Sequence, residues 1–178
     1  MTGRGTRLNE PEIREFIRAD YARLVNALAL ISGSLPGAED AVQEALGRAW
    51  ELTERGRHID SLPAWVAAVA RNLLRDRFRR ILAERRARSG MTDLGSERRS
   101  GDPADVERRT DMARALGALP RRQREVAVFR YYLDLDIAEI ATILGIPEGT
   151  VRGALHRARR SLARALADDP SEVADVTR

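Results

Sequence analysis

Residues 135–166 read LDIAEIATILGIPEGTVRGALHRARRSLARAL, and no other part of the chain is as informative about its structure. Asp136 and Glu139 have the spacing of a capping box, which predicts the start of a helix. Gly145 supplies a turn after that helix, and Pro147 falls in the opening turn of a second helix, where proline is tolerated. The segment therefore predicts two helices separated by a short glycine turn.

The second helix combines an apolar stripe with an excess of arginine. The stripe has the spacing of one buried helix face and consists of Val151, Leu155, Ala158 and Leu162. A polar helix face is by default only solvated. Here the compact turn and the single sign of the charge favour a helix-turn-helix that places its second helix in the major groove of DNA.

Composition excludes several classes of protein. The 178 residues include 31 basic side chains, all of them arginine, and 27 acidic ones, for a net charge of +4. Since there is no cysteine, the chain forms no disulfide and has no cysteine-ligated metal. No apolar run is long enough to span a bilayer, and residues 1–9 lack the apolar segment of a signal peptide. These features predict a cytoplasmic protein without membrane insertion.

Nearly the whole chain is expected to be helical, with a break at residues 32–37. Helices are predicted from a cap at Asn9 to about Ile31, over about 38–54, from Ser61 to about Arg88, over about 105–118 and over 120–132. Residues 89–104, rich in glycine and serine, predict a flexible linker, and residues 168–178 a polar tail. The fold class is therefore predicted to be all-α. Two small helical domains, residues 9–88 and 105–167, are joined by the linker, and the second contains the helix-turn-helix.

Charge is distributed unevenly along the chain. Residues 71–88 contain eight arginines against two acids, and residues 114–164 contain ten arginines against five acids. These two basic patches, one in each predicted domain, suit binding of one nucleic acid at two sites, although they can also be read as solvated faces. The helix predicted over about 38–54 instead has an acidic face, which suits a basic partner protein or plain solvation.

Four segments together resemble a known family. AEDAVQEALGRAW (38–50) and AWVAAVARNLLRDRFRR (64–80) resemble region 2 of bacterial RNA polymerase sigma factors, and LPRRQREV (119–126) and AEIATILGIPEGTV (138–151) resemble region 4. The resemblance spans about residues 12–166 and follows the order of the family. With only two such regions, the chain is similar to the minimal, extracytoplasmic-function group. The resemblance implies a promoter-specificity factor that binds core RNA polymerase and directs transcription initiation.

The resemblance also implies how region 2 is used. Its acidic helix would dock on the clamp helices of the largest polymerase subunit, through Asp40, Gln43, Glu44 and Arg48. Trp50 is interpreted as a core residue rather than a contact, and Trp65 as buried between helices. The next loop and helix would capture the melted non-template strand of the minus-ten element, through His58, Asp60, Ser61, Arg71, Asn72, Arg75, Arg79 and Arg80. For Asn72, an amide that satisfies buried backbone remains an alternative.

Region 4 would bind duplex DNA at the minus-thirty-five element. The expected DNA-binding residues are Arg121, Arg122, Thr150, Arg152, His156, Arg157 and Arg159. Arg152 and Arg157 are expected at base edges and the remaining arginines at phosphates. Where such sigma factors commonly have a hydroxyl and a basic residue, this chain has Gly153 and Ala154. We therefore expect weak or unusual base recognition, because two polar side chains are missing from the part of this helix that contacts bases.

Partners and rival functions follow from the same residues. The expected partners are core polymerase, promoter DNA and an anti-sigma protein, since small sigma factors are often held inactive by one. A stand-alone helix-turn-helix regulator is the main alternative, but it leaves the acidic helix without a role. An RNA-binding antiterminator fits the arginine-rich helices but not the helix-turn-helix. No enzyme, metal or cofactor is expected, because the two histidines, His58 and His156, fall in different predicted domains.

Overall fold

The computed structural model describes residues 10–89 and 111–167, and within these ranges every element is helical. The chain divides into two compact units, Met1–Ser100 and Gly101–Arg178. The prediction of an all-α protein with two small helical domains is thereby confirmed. Apart from Ser89, which is helical, the predicted linker lies outside the described residues. So do Asn9, residues 105–110 and the predicted tail.

Over residues 10–89, the first unit contains four α-helices and one π-helical turn. The elements are α1 (Glu10–Phe16), the first π turn (Ile17–Tyr21), α2 (Ala22–Ser32), α3 (Leu35–Glu54) and α4 (Leu62–Ser89). Helix α3 packs against both α2 and α4. Most of its buried residues are alanine, which allows the neighbouring helices to approach closely; the set is Ala38, Ala41, Val42, Ala45, Ala49 and Thr53.

The start of α3 differs from the prediction. Residues 32–37 were expected to form a break, yet the helix begins at Leu35. Ser34 is the N-cap, and its hydroxyl accepts a hydrogen bond from the backbone N–H of Gly37 at 3.1 Å. Pro36 lies in the first helical turn, where its missing N–H leaves no bond unmade. Gly33, with φ of 81°, ends the preceding helix.

The second unit is organised around its longest described helix. Its described elements are α5 (Asp111–Ala118), α6 (Arg121–Ala127), the second π turn (Val128–Tyr132), α7 (Ile137–Leu144) and α8 (Glu148–Ala167). Helix α8 packs against α5, α6 and α7. The core of this unit includes Val126, Phe129, Ile140, Val151 and Leu155. The sequence predicted one continuous helix over 120–132 and did not anticipate the π turn at its end.

The helix-turn-helix forms as predicted, with one adjustment. The backbone N–H of Glu139 donates to Asp136 Oδ1 at 2.8 Å, and that of Asp136 donates to Glu139 Oε2 at 2.7 Å, so the capping box is confirmed. Gly145 adopts φ of 63° and ends α7. Pro147 lies one residue before α8 rather than within it, and its carbonyl accepts the bonds from Thr150 and Val151 that open the helix.

Candidate polymerase and nucleic-acid interfaces

The acidic face of α3 is held together by an arginine from the neighbouring helix. Arg77 of α4 lies 3.4 Å from Asp40 Oδ2 and 3.4 Å from Glu44 Oε2. Arg48 adds a contact of 2.6 Å to the other oxygen of Glu44. The face is therefore less negative than the sequence suggests, and its two carboxylates are oriented from α4. No local sequence pattern indicates this role of Arg77, because it lies 37 positions from Asp40.

Trp50 extends the same side of α3. Its side chain is 44% exposed, so the interpretation as a core residue is wrong. Gln43 and Trp50 are seven residues apart, or about two helical turns, and lie on one side of the helix. Gly47 stands between them, and the space that a Cβ atom would enter there is open. The exposed surface of α3 thus includes an indole, a carboxamide and a bare stretch of backbone as well as the acidic residues.

The loop before α4 contains three of the residues expected at the minus-ten element. His58 and Asp60 are exposed, and His58 Nε2 lies 3.1 Å from Asp60 Oδ1. Ser61 is exposed as well, but its hydroxyl accepts a hydrogen bond from the backbone N–H of Ala64 at 3.4 Å. Ser61 therefore helps to open α4, in addition to any role toward DNA.

Arg71 does not lie where a DNA-binding residue was expected. Its side chain is only 4% exposed, and one terminal nitrogen donates to Asn72 Oδ1 at 3.0 Å. This placement corrects the expectation that the Arg71 guanidinium faces a DNA strand, because the group is turned into the domain. Asn72 itself is exposed. The buried arginine thus helps to orient an amide at the surface.

The other α4 residues form one side of the helix. Asn72, Arg75 and Arg79 are spaced by three and four residues, which places them above one another. Arg79 and Arg80 are exposed, and Arg75 is half-buried. The arrangement presents an amide beside a row of cations, as binding of a single strand requires. Trp65, expected to be buried between helices, is half-buried.

At the start of α6 a buried carboxylate holds two of the predicted phosphate-binding arginines. Glu125 is 1% exposed. Its oxygens lie 3.2 Å from Arg121 Nε and 3.4 Å from a terminal nitrogen of Arg122. Cations in the first turn of a helix are unfavourable because that end carries partial positive charge. Glu125 offsets this cost, and sequence analysis did not identify it.

Helix α8 presents its predicted DNA-binding residues to solvent. Thr150, Arg152, His156 and Arg157 are all exposed, and Arg152 lies 2.7 Å from Glu148. Ala154, by contrast, is fully buried together with Val151. The expectation that Ala154 removes a polar group from the part of the helix that contacts bases is therefore wrong, since position 154 faces the core. Only Gly153 alters the reading surface, and the Arg157 guanidinium lies 3.5 Å from where its Cβ would stand.

Arg159 is attached to an exposed tyrosine that sequence analysis did not single out. Its Nε–H donates to the hydroxyl of Tyr131 in the second π turn. The guanidinium carbon also lies 5.8 Å from the centroid of the tyrosine ring, which is within the range of a cation–π contact. The two residues are 28 positions apart, so no local pattern could have paired them.

Each of the two units matches a region of a known protein family. Residues 16–84 match Sigma-70 region 2, and residues 109–162 match Sigma-70, region 4. The ECF RNA polymerase sigma factor SigL of Mycobacterium tuberculosis is 35% identical over 168 residues, which cover 89% of this chain and 91% of SigL. EcfG of Rhodopseudomonas palustris is 30% identical, with 90% of this chain and 88% of EcfG covered.

The chain belongs to the extracytoplasmic-function (ECF) RNA polymerase sigma factors. This sigma factor is a promoter-specificity factor that binds core RNA polymerase and promoter DNA, as the sequence predicted. Members of the family are non-enzymatic initiation factors. A stand-alone helix-turn-helix regulator is not favoured, because the region 2 match accounts for the acidic helix and the first basic patch.

Two solved structures share the fold of this sigma factor. RpoE of Bartonella quintana, solved with the anti-sigma factor NepR, has a TM-score of 0.71 at 23% identity, covering 90% of this chain and 99% of that chain. CnrH, solved with the cytosolic domain of CnrY, has a TM-score of 0.63 at 24% identity, covering 91% and 92%. Among the described residues, no helix of the sigma factor is long and apolar enough to cross a membrane.

Proposed function

We propose that this sigma factor acts in the cytoplasm through three surfaces. They lie on two domains, residues 9–88 and 105–167. A linker at 89–104 joins the domains, and a tail at 168–178 follows them. One side of α3 docks on core polymerase. The loop before α4 and the exposed side of α4 capture the melted minus-ten strand. Helix α8 and the start of α6 bind the minus-thirty-five duplex. No surface needs a metal, a cofactor or ATP.

The docking surface comprises the expected residues and the tryptophan that adjoins them, namely Asp40, Gln43, Glu44, Arg48 and Trp50. The observation that carries this proposal is the fixed pair of carboxylates beside an exposed indole. Aromatic anchors with charged neighbours are typical of interface centres and rims. Because Arg77 orients both carboxylates before docking, less side-chain entropy is lost on binding.

Strand capture relies on side chains that the first unit leaves exposed. A flipped base is read along its hydrogen-bonding edge, and the Asn72 amide offers both a donor and an acceptor. Arg75, Arg79 and Arg80 neutralise the backbone, and His58 and Asp60 add polar groups from the loop. Flipping costs about 2–4 kcal/mol per base, which these contacts offset. Arg71 supports Asn72 from inside the domain.

Duplex recognition uses the outer side of α8. Arg152 and Arg157 reach base edges, with Thr150 and His156 beside them, and Arg121, Arg122 and Arg159 contact phosphates. Arginine suits both tasks because its planar fork binds guanine or phosphate through two hydrogen bonds. Gly153 has no side chain to contact a base, so one base position is recognised through DNA shape or not at all.

An anti-sigma protein is a further proposed partner. Support comes from RpoE, a sigma factor of the same fold whose structure was solved with the anti-sigma factor NepR. Expression of this sigma factor in its native host with an affinity tag, followed by mass spectrometry, tests the proposal. We expect a stoichiometric partner that blocks binding to purified core polymerase. A partner that leaves core binding unchanged would count against it.

The docking proposal is tested by measuring the affinity of the full chain for purified core RNA polymerase. Reversal of both carboxylates (Asp40→Arg with Glu44→Arg) or truncation of the indole (Trp50→Ala) is expected to weaken binding at least tenfold. Glu15→Arg is a matched control, because Glu15 is an exposed acid on α1 of the same unit. Equal affinity for core among all four proteins would show that α3 is not the docking surface.

A further inference from the structure

Tyr131 has no role in the functions derived above, although more than half of its side chain is exposed. We propose that Tyr131 is a positioning residue that holds Arg159 in the conformation in which it binds a promoter phosphate. The inference rests on the proposed function, in which Arg159 contacts the minus-thirty-five backbone. It identifies a residue of this recognition surface that lies outside the helix-turn-helix itself.

The second π turn presents Tyr131 at the surface. Phe129, fully buried, anchors the turn in the core of the unit. The backbone behind it is fixed by bonds from Leu133 N–H to the Val128 carbonyl at 3.2 Å and from Leu135 N–H to the Phe129 carbonyl at 3.1 Å. The Arg130 side chain also donates to the Leu135 carbonyl at 3.0 Å. The tyrosine therefore projects from a well-braced segment, and π turns of this kind often occur at functional sites.

The contact with Arg159 leaves most of the guanidinium available. Of its five N–H donors, only the one on Nε is given to the Tyr131 hydroxyl. The two terminal nitrogens keep four donors, which is the set that binds phosphate through two parallel hydrogen bonds. The tyrosine thus orients the arginine without occupying the atoms that phosphate needs.

The position of Arg159 on α8 suits a backbone contact. Arg152 and Arg159 are seven residues apart, about two turns, and share one flank of the exposed side of the helix. The N-terminal residues of a recognition helix contact base edges, as proposed for Arg152, so an arginine two turns further along the same flank meets the phosphate backbone. A long exposed side chain ordered in advance loses less entropy on binding, which raises affinity without a new contact.

The test uses full-length protein assembled with core polymerase and a promoter duplex recovered from genomic fragments, with affinity measured over a series of salt concentrations. Arg159→Ala is expected to weaken binding and to lower the slope of log affinity against log salt by about 1, as loss of one phosphate contact does. Tyr131→Phe is expected to weaken binding roughly fivefold, the typical effect of one hydrogen bond. In the Arg159→Ala background, Tyr131→Phe should have no further effect.

The outcomes separate the inference from the function on which it rests. If Arg159→Ala leaves affinity and salt slope unchanged, the phosphate role of Arg159 is wrong, and the inference falls with it. If Arg159→Ala weakens binding but Tyr131→Phe does not, only the inference fails. An equal loss from Tyr131→Phe in both backgrounds would mean that the tyrosine contacts DNA itself, and tighter binding would mean that it restrains Arg159 away from DNA. Either result overturns the proposal.

A second measurement detects the contact between Tyr131 and Arg159 in the absence of DNA. In full-length protein labelled with ¹⁵N-arginine, the Nε–H resonance of Arg159 should exchange slowly with solvent, because its proton is hydrogen-bonded. Tyr131→Phe should move that resonance and accelerate its exchange, while the resonances of other arginines and the thermal unfolding midpoint stay the same. An unchanged Arg159 resonance would overturn the inference even if DNA binding were weakened.

Discussion

Single residues in this sigma factor act mainly through charged groups that have partners within the protein itself. Glu125 is buried between Arg121 and Arg122, Arg77 joins two carboxylates of another helix, and Arg71 is turned inward. A lysine-free chain favours such contacts, because a guanidinium can bind two acceptors at once. The consequence is that several arginines orient other side chains at the protein surface through contacts made before any partner binds.

Glu125→Ala is expected to lower the free energy of unfolding of the second unit by about 2 kcal/mol. Removal of the carboxylate leaves two arginines close together in the first turn of α6, although both retain access to water, which limits the loss. Urea unfolding followed by circular dichroism measures the effect. Glu148→Ala is the control, because Glu148 and its partner Arg152 are both exposed. Loss of this ion pair should cost under about 0.5 kcal/mol. Equal losses for the two variants would contradict the structural role of Glu125.

Gly153→Ala is expected to stabilise the second unit by about 0.5–1 kcal/mol, because alanine has a higher helix propensity than glycine. A Cβ atom there meets only the Arg157 guanidinium at 3.5 Å, an ordinary contact. A urea titration measures the gain, and selection of duplexes from a random pool by holoenzyme shows whether one base position changes. A less stable variant would indicate that the Arg157 contact is tighter than the geometry indicates.

At the scale of elements, the helix-turn-helix was predictable and the surfaces around it were not. The capping box and the left-handed glycine depend on neighbours within a few residues, so they could be predicted from sequence. The start of α3 at Leu35 departs from the predicted break over residues 32–37, because a Ser34 cap and a proline in the first turn are compatible with a helix. The two π turns, the exposure of Trp50 and the Tyr131–Arg159 pair depend on tertiary packing. No local pattern specifies them.

Asp136→Ala is expected to cost about 1 kcal/mol of stability, since it removes the acceptor for the Glu139 N–H at the start of α7. Because α7 packs against the recognition helix, binding to the minus-thirty-five duplex should weaken as well. Thermal unfolding and duplex binding by holoenzyme measure the two effects. Asp136→Asn keeps an acceptor and serves as the control. If both variants unfold alike, the cap does not contribute as proposed.

The whole molecule consists of two compact units, each assigned a different promoter element. Family, fold class and function could be inferred from the sequence because two region signatures occur in order, and the family matches confirm them. We expect the free chain to bind promoter duplex poorly, since each unit alone makes few contacts and core polymerase supplies the rest. Footprinting with and without core checks this. A specific footprint from the free chain that equals the holoenzyme footprint would contradict the expectation.

The central claim is that this sigma factor directs core polymerase to promoters through the acidic side of α3. Run-off transcription on genomic promoter fragments, by purified core with and without the chain, tests it most directly. We predict new transcripts that require the chain and that disappear when Asp40 and Glu44 are both changed to arginine, but persist with Glu15→Arg. No new transcript with the wild-type chain, or full transcription by the double reversal variant, would contradict the claim.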